Sequence, residues 1–129
     1  MLDTNICIYL IKQQPPSVLD RFLSHPVGDI GISSITVAEL DYGVSKSRRA
    51  SKNRMALDHF IAPLDVANFD REAASVYGRI RAALEQKGTP IGSMDLLIAA
   101  HALSLGVRLV TNNAREFRRV SGLKVENWV

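Results

Sequence analysis

Short apolar runs alternate along the chain with longer segments in which apolar residues recur every three or four positions. The short runs predict strands and the longer segments predict helices. The predicted strands are "MLD", "DIGIS", "PLDVA", "VRLVT" and "LKVENWV". The predicted helices are "ICIYLIKQ", "PSVLDRFLSH", "SITVAELDYGVS", "RMALDHFIA", "REAASVYGRIRAALEQKG", "SMDLLIAAHALSLG" and "NAREFRRV". Strands that alternate with helices favour a parallel sheet with helices packed on it.

Polar and breaker residues support these boundaries. Thr4 and Asn5 are predicted to cap the first helix, Ser34 the third and Asp70 the long helix that follows "PLDVA". No linker, repeat or low-complexity segment interrupts the pattern. We therefore predict a single α/β domain over residues 1–129, with a central, mostly parallel sheet of four to five strands and helices on both faces. Ligands of such sheets bind at the carboxyl ends of the strands.

Composition narrows the class of protein. Hydrophobic residues make up 47% of the 129 residues, which is typical of a globular domain. The single cysteine, Cys7, excludes an internal disulfide and fits a reducing compartment. No apolar run reaches the ~18–20 residues of a membrane span, and the start of the chain lacks the features of a signal peptide. The expected location is the cytoplasm, with no membrane partner.

Three carboxylates stand at positions where a site can form. Asp3 ends an apolar strand, Glu39 interrupts an apolar helix, and Asp95 lies near the start of the most apolar helix. Each has a simple structural explanation: a cap, a solvent-facing position and a charge that complements the helix dipole. If the three meet at one edge, two of them at ~4 Å repel by about 4 kcal/mol, so a proton or a cation must bind. A site of carboxylate oxygens suits Mg²⁺ or Mn²⁺.

Other chemistries fit the sequence less well. The lone cysteine and three scattered histidines do not indicate zinc, and His101 is predicted to be a packing residue. A phosphate-binding glycine-rich loop and a G-x-S-x-G nucleophile motif are both absent.

Basic residues form two clusters, and the net charge is +3. One cluster lies in "KSRRASKNR" and the other is formed by Arg115, Arg118 and Arg119. Either cluster can neutralise phosphates. A solvated helix face is the alternative explanation for such a run of charges.

Four ordered segments, "MLDTNICIYL", "ISSITVAELDYGV", "IGSMDLLIAAHAL" and "LVTNNAREFRRVSGLKVENW", resemble the PIN-domain toxins of the VapC family over nearly the whole chain. The resemblance implies an Mg²⁺- or Mn²⁺-dependent endoribonuclease, the toxin of a type II toxin–antitoxin pair. It also implies a homodimer, inhibition by a cognate VapB-type antitoxin in a larger assembly, and structured RNA, with tRNA as the recurring target.

The resemblance assigns roles to individual residues. Asp3, Glu39 and Asp95 match the family's first three catalytic acids, with Asp3 and Asp95 as metal ligands. At the fourth position, where many members have Asp, this chain has Asn113. Glu116 is the expected replacement, and a surface carboxylate paired with Arg115 or Arg119 is the alternative.

The remaining expected residues fall into two groups. The pocket is expected to be lined by Thr4, Asn5, Ser34, Thr111, Asn112 and Asn113. The RNA is expected to contact Arg48, Arg49, Lys52, Arg54 and Arg115.

Two alternatives stay open at the level of sequence. The missing fourth Asp favours a PIN-like binding module without catalysis, and a similar sheet can carry a Mg²⁺-dependent phosphatase or DNA nuclease. Only two residues precede Asp3, so the first strand is either minimal or begins upstream of Met1.

Overall fold

The computed structural model describes all 129 residues, and its elements follow the predicted order. The seven α-helices are Thr4–Lys12 (α1), Pro16–Leu23 (α2), Ser34–Ser45 (α3), Ala50–Ile61 (α4), Arg71–Gln86 (α5), Ser93–Leu105 (α6) and Ala114–Phe117 (α7). The four strands are Gly31–Ser33 (β1), Asp65–Ala67 (β2), Leu109–Val110 (β3) and Val125–Glu126 (β4). The predicted α/β class with parallel strands is confirmed.

The strands form two parallel pairs, β1 with β2 and β3 with β4. Leu2 lies between the pairs and forms single parallel bridges to Ile32 and to Val110. Its N–H donates to the Gly31 carbonyl at 3.0 Å, and the Asp3 N–H donates to the Val110 carbonyl at 2.9 Å. The predicted strand "MLD" is therefore reduced to isolated bridges, because α1 begins at Thr4. A continuous sheet of four to five strands stays a prediction.

Two apolar clusters form the core. One contains Ile6, Val18, Ile32, Leu57 and Trp128 among its buried residues. The other contains Ile80, Leu84, Ile98, Leu109 and Phe117, where α5 packs against α6. A buried side chain of this size contributes about 1.5–3 kcal/mol, so both clusters hold the helices that carry the candidate site.

Two predicted helix caps are wrong by one residue. Asp3, rather than Thr4 or Asn5, caps α1, because its Oδ1 accepts from the Ile6 N–H at 2.9 Å. Ser33, rather than Ser34, caps α3, since its Oγ accepts from the Ile35 N–H at 3.0 Å. In both cases the extended residue just before the helix has the better geometry to reach the free N–H groups.

A buried hydrogen bond connects the two helices that carry Glu39 and Asp95. Ser33 Oγ at the start of α3 lies 2.7 Å from His101 Nδ1 on α6. Burial lowers the pKa of His101, which favours the neutral ring in this contact. His101 is 1% exposed and meets the edge of Phe69, as expected of a packing residue.

Two further features concern the burial of Cys7 and the character of the helices. Cys7 is fully buried, and burial raises the pKa of its thiol. None of the helices combines the length and the apolar character that a membrane crossing requires.

Candidate functional site

Four acidic residues approach one another from four different elements. Asp3 caps α1, Glu39 lies in the second turn of α3, Asp95 lies in the first turn of α6, and Glu116 lies on α7. The helices α1, α3 and α7 each follow a strand segment of the sheet, so their starts lie at its carboxyl edge. The charges of Glu116, Asp3 and Glu39 all raise the pKa of Asp95.

Asp3 is a buried carboxylate that caps α1. It is 4% exposed, and its Oδ1 accepts from the Ile6 N–H at 2.9 Å. Burial raises the pKa of Asp3 and the charge of Glu39 adds to the rise, whereas the polar groups of Thr111, Ile6 and Asn5 act to lower it. The hydroxyl oxygen of Thr111, an expected pocket residue, accepts from the Asn113 N–H at 2.9 Å.

Asp95 is the most strongly perturbed carboxylate of the group. Burial and the nearby charges of Glu116, Asp3 and Glu39 together raise its pKa to about 6. The ion pairs of the protein lie elsewhere: Arg21 and Arg108 with Glu126, Arg54 with Asp41, and Arg81 with Glu85. None of the four carboxylates therefore forms an ion pair with a basic side chain.

Glu39 is oriented by a neighbour that the sequence had suggested as a cap. The Thr4 hydroxyl donates to Glu39 Oε1 at 2.6 Å and links α1 to α3. Ser34, an expected pocket residue, is engaged differently, because its Oγ accepts from the Phe69 N–H at 3.0 Å. Asn5 is exposed on α1.

Both oxygens of Glu116 are held by donors. Oε2 accepts from Asn113 Nδ2 at 2.7 Å, and Oε1 accepts from the Gly92 N–H at 3.1 Å. These bonds lower the pKa of Glu116, the bond from Asn113 most. An ion pair of Glu116 with Arg115 or Arg119 is not formed; Arg119 Nη1 instead donates to the Pro90 carbonyl at 2.9 Å.

Asn112, an expected pocket residue, and the backbone of Gly92 make two further contacts. Asn112 Nδ2 donates to the Tyr9 hydroxyl at 2.8 Å, while its buried Oδ1 has no partner. The backbone of Gly92 is a contact that the sequence analysis missed. The available signal was a helix that starts after a glycine, with no side chain of its own at the cap position.

The donor set fits a hard divalent cation. No group of three or more His, Cys, Asp and Glu side chains is arranged to hold a metal ion directly. Mg²⁺ usually keeps several waters and uses only one or two carboxylates, with substrate phosphates as further ligands. Carboxylates with raised pKa values and no basic partner therefore fit such an ion without a closed cage.

The expected RNA-binding residues differ in their exposure to solvent and in whether they form an ion pair. Arg48, Arg49 and Lys52 are exposed around the turn from α3 to α4, and none of them forms an ion pair. Arg115 is exposed on α7. Arg54 is paired with Asp41, so its role in binding RNA stays a prediction.

The protein has two larger cavities, and only one of them adjoins the site. The larger, about 400 Å³, opens at the amino-terminal ends of the strands, between Met1, Ile30, Arg108 and Trp128. The smaller, about 290 Å³, is a mainly apolar groove between α1, α3 and α4 that includes Glu39. The larger cavity therefore lies away from the carboxylates and the smaller one adjoins them.

Comparison with known proteins shows which family the chain resembles. The sequence model of the PIN domain matches residues 1–123. The tRNA(fMet)-specific endonuclease VapC of Shigella flexneri is 48% identical over 128 residues, covering 99% of this chain and 96% of the relative. Ribonuclease VapC2 of Rickettsia felis is 47% identical over 129 residues, with 99% and 96% covered.

Solved structures of similar proteins also superpose on the whole of this chain. The crystal structure of VapBC2 from Rickettsia felis, bound to a DNA fragment from its promoter, superposes with a TM-score of 0.92 at 44% identity. It covers 100% of this chain and 98% of that one. DNA-bound VapBC from Salmonella typhimurium gives a TM-score of 0.91 at 45% identity, with 100% and 97% covered.

Proposed function

The chain belongs to the PIN-domain family, and on that premise we propose that it is an endoribonuclease of the VapC type, the toxin of a type II toxin–antitoxin pair. The observation that carries the proposal is that Asp3 and Asp95 have raised pKa values, feel the charges of other acids, and form no ion pair with a basic side chain. Carboxylates perturbed in this way concentrate at catalytic sites. The PIN domain is proposed to span residues 1–129.

The proposed cofactor is Mg²⁺ or Mn²⁺, held by Asp3 and Asp95. When bound, such an ion activates water and neutralises charge on the scissile phosphate. The Ile6 N–H holds the Asp3 carboxylate. Glu39, whose Oε1 accepts from the Thr4 hydroxyl, is proposed to orient the attacking water. Whether Glu116 or Asn113 contributes a further ligand is taken up below.

The proposed substrate is tRNA, and the name of the Shigella relative makes tRNA(fMet) the first one to test. Arg48, Arg49 and Lys52 are proposed to hold the RNA backbone, since their side chains are exposed and unpaired, and Arg115 is proposed to contact RNA from α7. Contacts to phosphates give affinity, whereas the shape and the loop bases of the tRNA give selectivity. An activity on tRNA implies a cytoplasmic location.

The proposed partner is a VapB-type antitoxin, because the similar solved structures are VapBC complexes. The apolar groove beside Glu39 supports this, since Ile8, Ile11, Val44 and Leu57 line it. A segment of the antitoxin bound there would cover an acid of the site. Co-expression with the cognate antitoxin should restore growth and silence cleavage.

A homodimer and a larger toxin–antitoxin assembly are also proposed. Tyr42 on α3 and Met55 on α4 are 67% and 74% exposed, and these two helices are in contact, so they offer apolar side chains to a second copy. Light scattering of the purified toxin, alone and with antitoxin, measures both states. We also infer that the two strand pairs act as one sheet joined through Leu2, with helices on both faces, since Leu2 bridges both pairs.

Asp3→Asn tests the proposed function. Asparagine caps a helix as well as aspartate, so the fold should be kept. Cleavage should fall by more than about 100-fold, beyond the loss caused by residues that only support a metal ligand. The measurement is the rate of cleavage of purified tRNA, with circular dichroism as the control for folding. Cleavage by Asp3→Asn at the wild-type rate would contradict the proposal.

Removal of metal and a change of substrate separate the alternatives. Excess EDTA should stop cleavage and Mg²⁺ or Mn²⁺ should restore it, with 5′-phosphate ends on the products. Binding of tRNA without cleavage would favour the binding module. A preference for single-stranded DNA would favour a DNA nuclease, and a preference for a phosphomonoester would favour a phosphatase.

A further inference from the structure

Helix α6 begins without a capping side chain of its own. Its N-cap residue is Gly92, and Asp95 is the third residue of the helix. In a capping box, the acid at this third position turns back to accept from the N–H of the N-cap residue. An acid used in that way cannot also face a catalytic site. The start of α6 therefore needs a different acceptor if Asp95 is to be free.

Glu116 supplies that acceptor from a different element. Its Oε1 accepts from the Gly92 N–H at 3.1 Å, across 24 residues of sequence. The Gly92 carbonyl accepts from the Leu96 N–H at 2.8 Å, so Gly92 is bonded on both sides. The other oxygen of Glu116 is fixed by Asn113, and Arg119 holds the same loop through Pro90.

We propose that Glu116 is a positioning residue that caps α6 from outside the helix and so leaves the Asp95 carboxylate free for the site. The inference rests on the proposed function, because it assigns Glu116 a role within that site. It differs from a direct ligand role, in which the negative charge of Glu116 would be essential. A Cβ built on Gly92 would lie 3.8 Å from Asp95 Oδ2, so Asp95 is close enough to turn back when Glu116 is removed.

A matched pair at Gly92 breaks the cap without changing an acid. Gly92 has φ −56°, which proline adopts, and Gly92→Pro removes the N–H that Glu116 accepts. Gly92→Ala keeps the N–H, and its Cβ makes an ordinary contact at 3.8 Å. Because Gly92→Pro leaves Asp95 no N–H to turn back to, Glu116→Ala should lower kcat on tRNA by about 10–100-fold in the Gly92→Ala protein but by clearly less in the Gly92→Pro protein. An equal loss in both proteins would overturn the proposal. Gly92→Ala should stay close to the wild type.

A second pair at Glu116 separates geometry from charge. Glu116→Gln keeps an acceptor for Gly92, and the Asn113 amide can turn to meet the new NH₂ group. Glu116→Ala loses the acceptor. The proposal predicts that Glu116→Gln cleaves more slowly than the wild type but clearly faster than Glu116→Ala. If the two variants are equally inactive, the charge is essential and the proposal is overturned.

Hydrogen exchange at the Gly92 amide provides a readout without metal or RNA. The comparison is made in an Asp95→Ala background, where Asp95 cannot replace Glu116 as the acceptor. The amide should be protected when residue 116 is Glu and in Glu116→Gln, and it should exchange faster in Glu116→Ala. Equal exchange in all three proteins would overturn the proposal. If the wild type itself does not cleave tRNA, the proposed function fails, and the exchange rates still decide whether Glu116 caps α6.

Discussion

Two regions of the molecule, the larger cavity and the carboxyl edge of the strands, treat their acids in opposite ways. Beside the larger cavity, Glu126, the last residue of β4, pairs with Arg21, faces Arg108 at 3.8 Å and accepts from Trp128 Nε1 at 3.1 Å. At the carboxyl edge, Asp3 and Asp95 have no basic partner, and burial and nearby acids raise the pKa of each.

This contrast separates structural charges from functional ones. A paired carboxylate stabilises the folded state modestly, whereas like charges brought together without a partner destabilise it. An arrangement that costs stability is expected where a cation or a reaction uses it. Removing Asp95 should therefore stabilise the folded state, whereas removing Glu126 should destabilise it.

Asp95→Asn should give the largest effect on activity and should stabilise the protein at neutral pH. Cleavage of tRNA should fall by more than about 100-fold, since a proposed metal ligand is lost. Because the pKa of Asp95 is about 6 when folded and 3.8 as the reference value, the folded state binds the extra proton between these values. Stability of the wild type should then fall as the pH rises from about 4 to 6.

Thermal unfolding at pH 4 and pH 7, in EDTA, measures this effect. Asp95 is partly exposed, so the relief in Asp95→Asn should be about 1–2 kcal/mol at pH 7, less than the full shift implies. At pH 4 the two proteins should differ little. A variant that is less stable than the wild type at pH 7 would contradict the idea that Asp95 is held at a cost.

Charge reversal of Arg48 and Arg49 should have an intermediate effect, on binding rather than on chemistry. Loss of two phosphate contacts should weaken tRNA binding by about 10–100-fold and flatten the salt dependence of log K by about 2. The measurement is a set of binding titrations between low and high salt with the cleavage-deficient Asp3→Asn protein.

The matched control is Arg79→Glu together with Lys87→Glu. These exposed residues lie on and just after α5, away from the basic turn between α3 and α4 that contains Arg48 and Arg49. The control should bind tRNA more tightly than the double reversal at Arg48 and Arg49. If both pairs weaken binding equally, the attraction is a general effect of net charge, and the basic turn has no special role.

The order of elements could be predicted from the sequence because periodicity and breaker residues are local signals. The strand "MLD" could not, since two residues before a helix cap make only bridges, and those bridges depend on β1 and β3. The caps were displaced by one position because Asp3 and Ser33 were assigned to strands. A residue at the end of a strand can also be the cap of the next helix.

The acids of the site could be identified from their places at element ends and from the family motifs. Their repulsion was expected, but the identity of the most perturbed acid was not, because the raised pKa of Asp95 depends on burial and on three acids distant in sequence. The glycine before α6 indicated a helix start without a capping side chain, but it could not identify Glu116 as the acceptor of the Gly92 N–H. Composition likewise could not show that Arg54 is paired while Arg48 is free.

Glu126→Gln should give the smallest effect and the opposite sign of stability change from Asp95→Asn. It weakens the pairs with Arg21 and Arg108, which are partly exposed, so the loss should be no more than about 1 kcal/mol. Cleavage should be unchanged, because Glu126 pairs with Arg21 and Arg108 and lies beside the larger cavity. Glu85→Gln, which breaks the exposed pair of Glu85 with Arg81, is the control for the loss of a surface ion pair and should also leave cleavage unchanged. A loss of cleavage in Glu126→Gln without unfolding would show that the two regions are coupled, and the separation of structural from functional charges would fail.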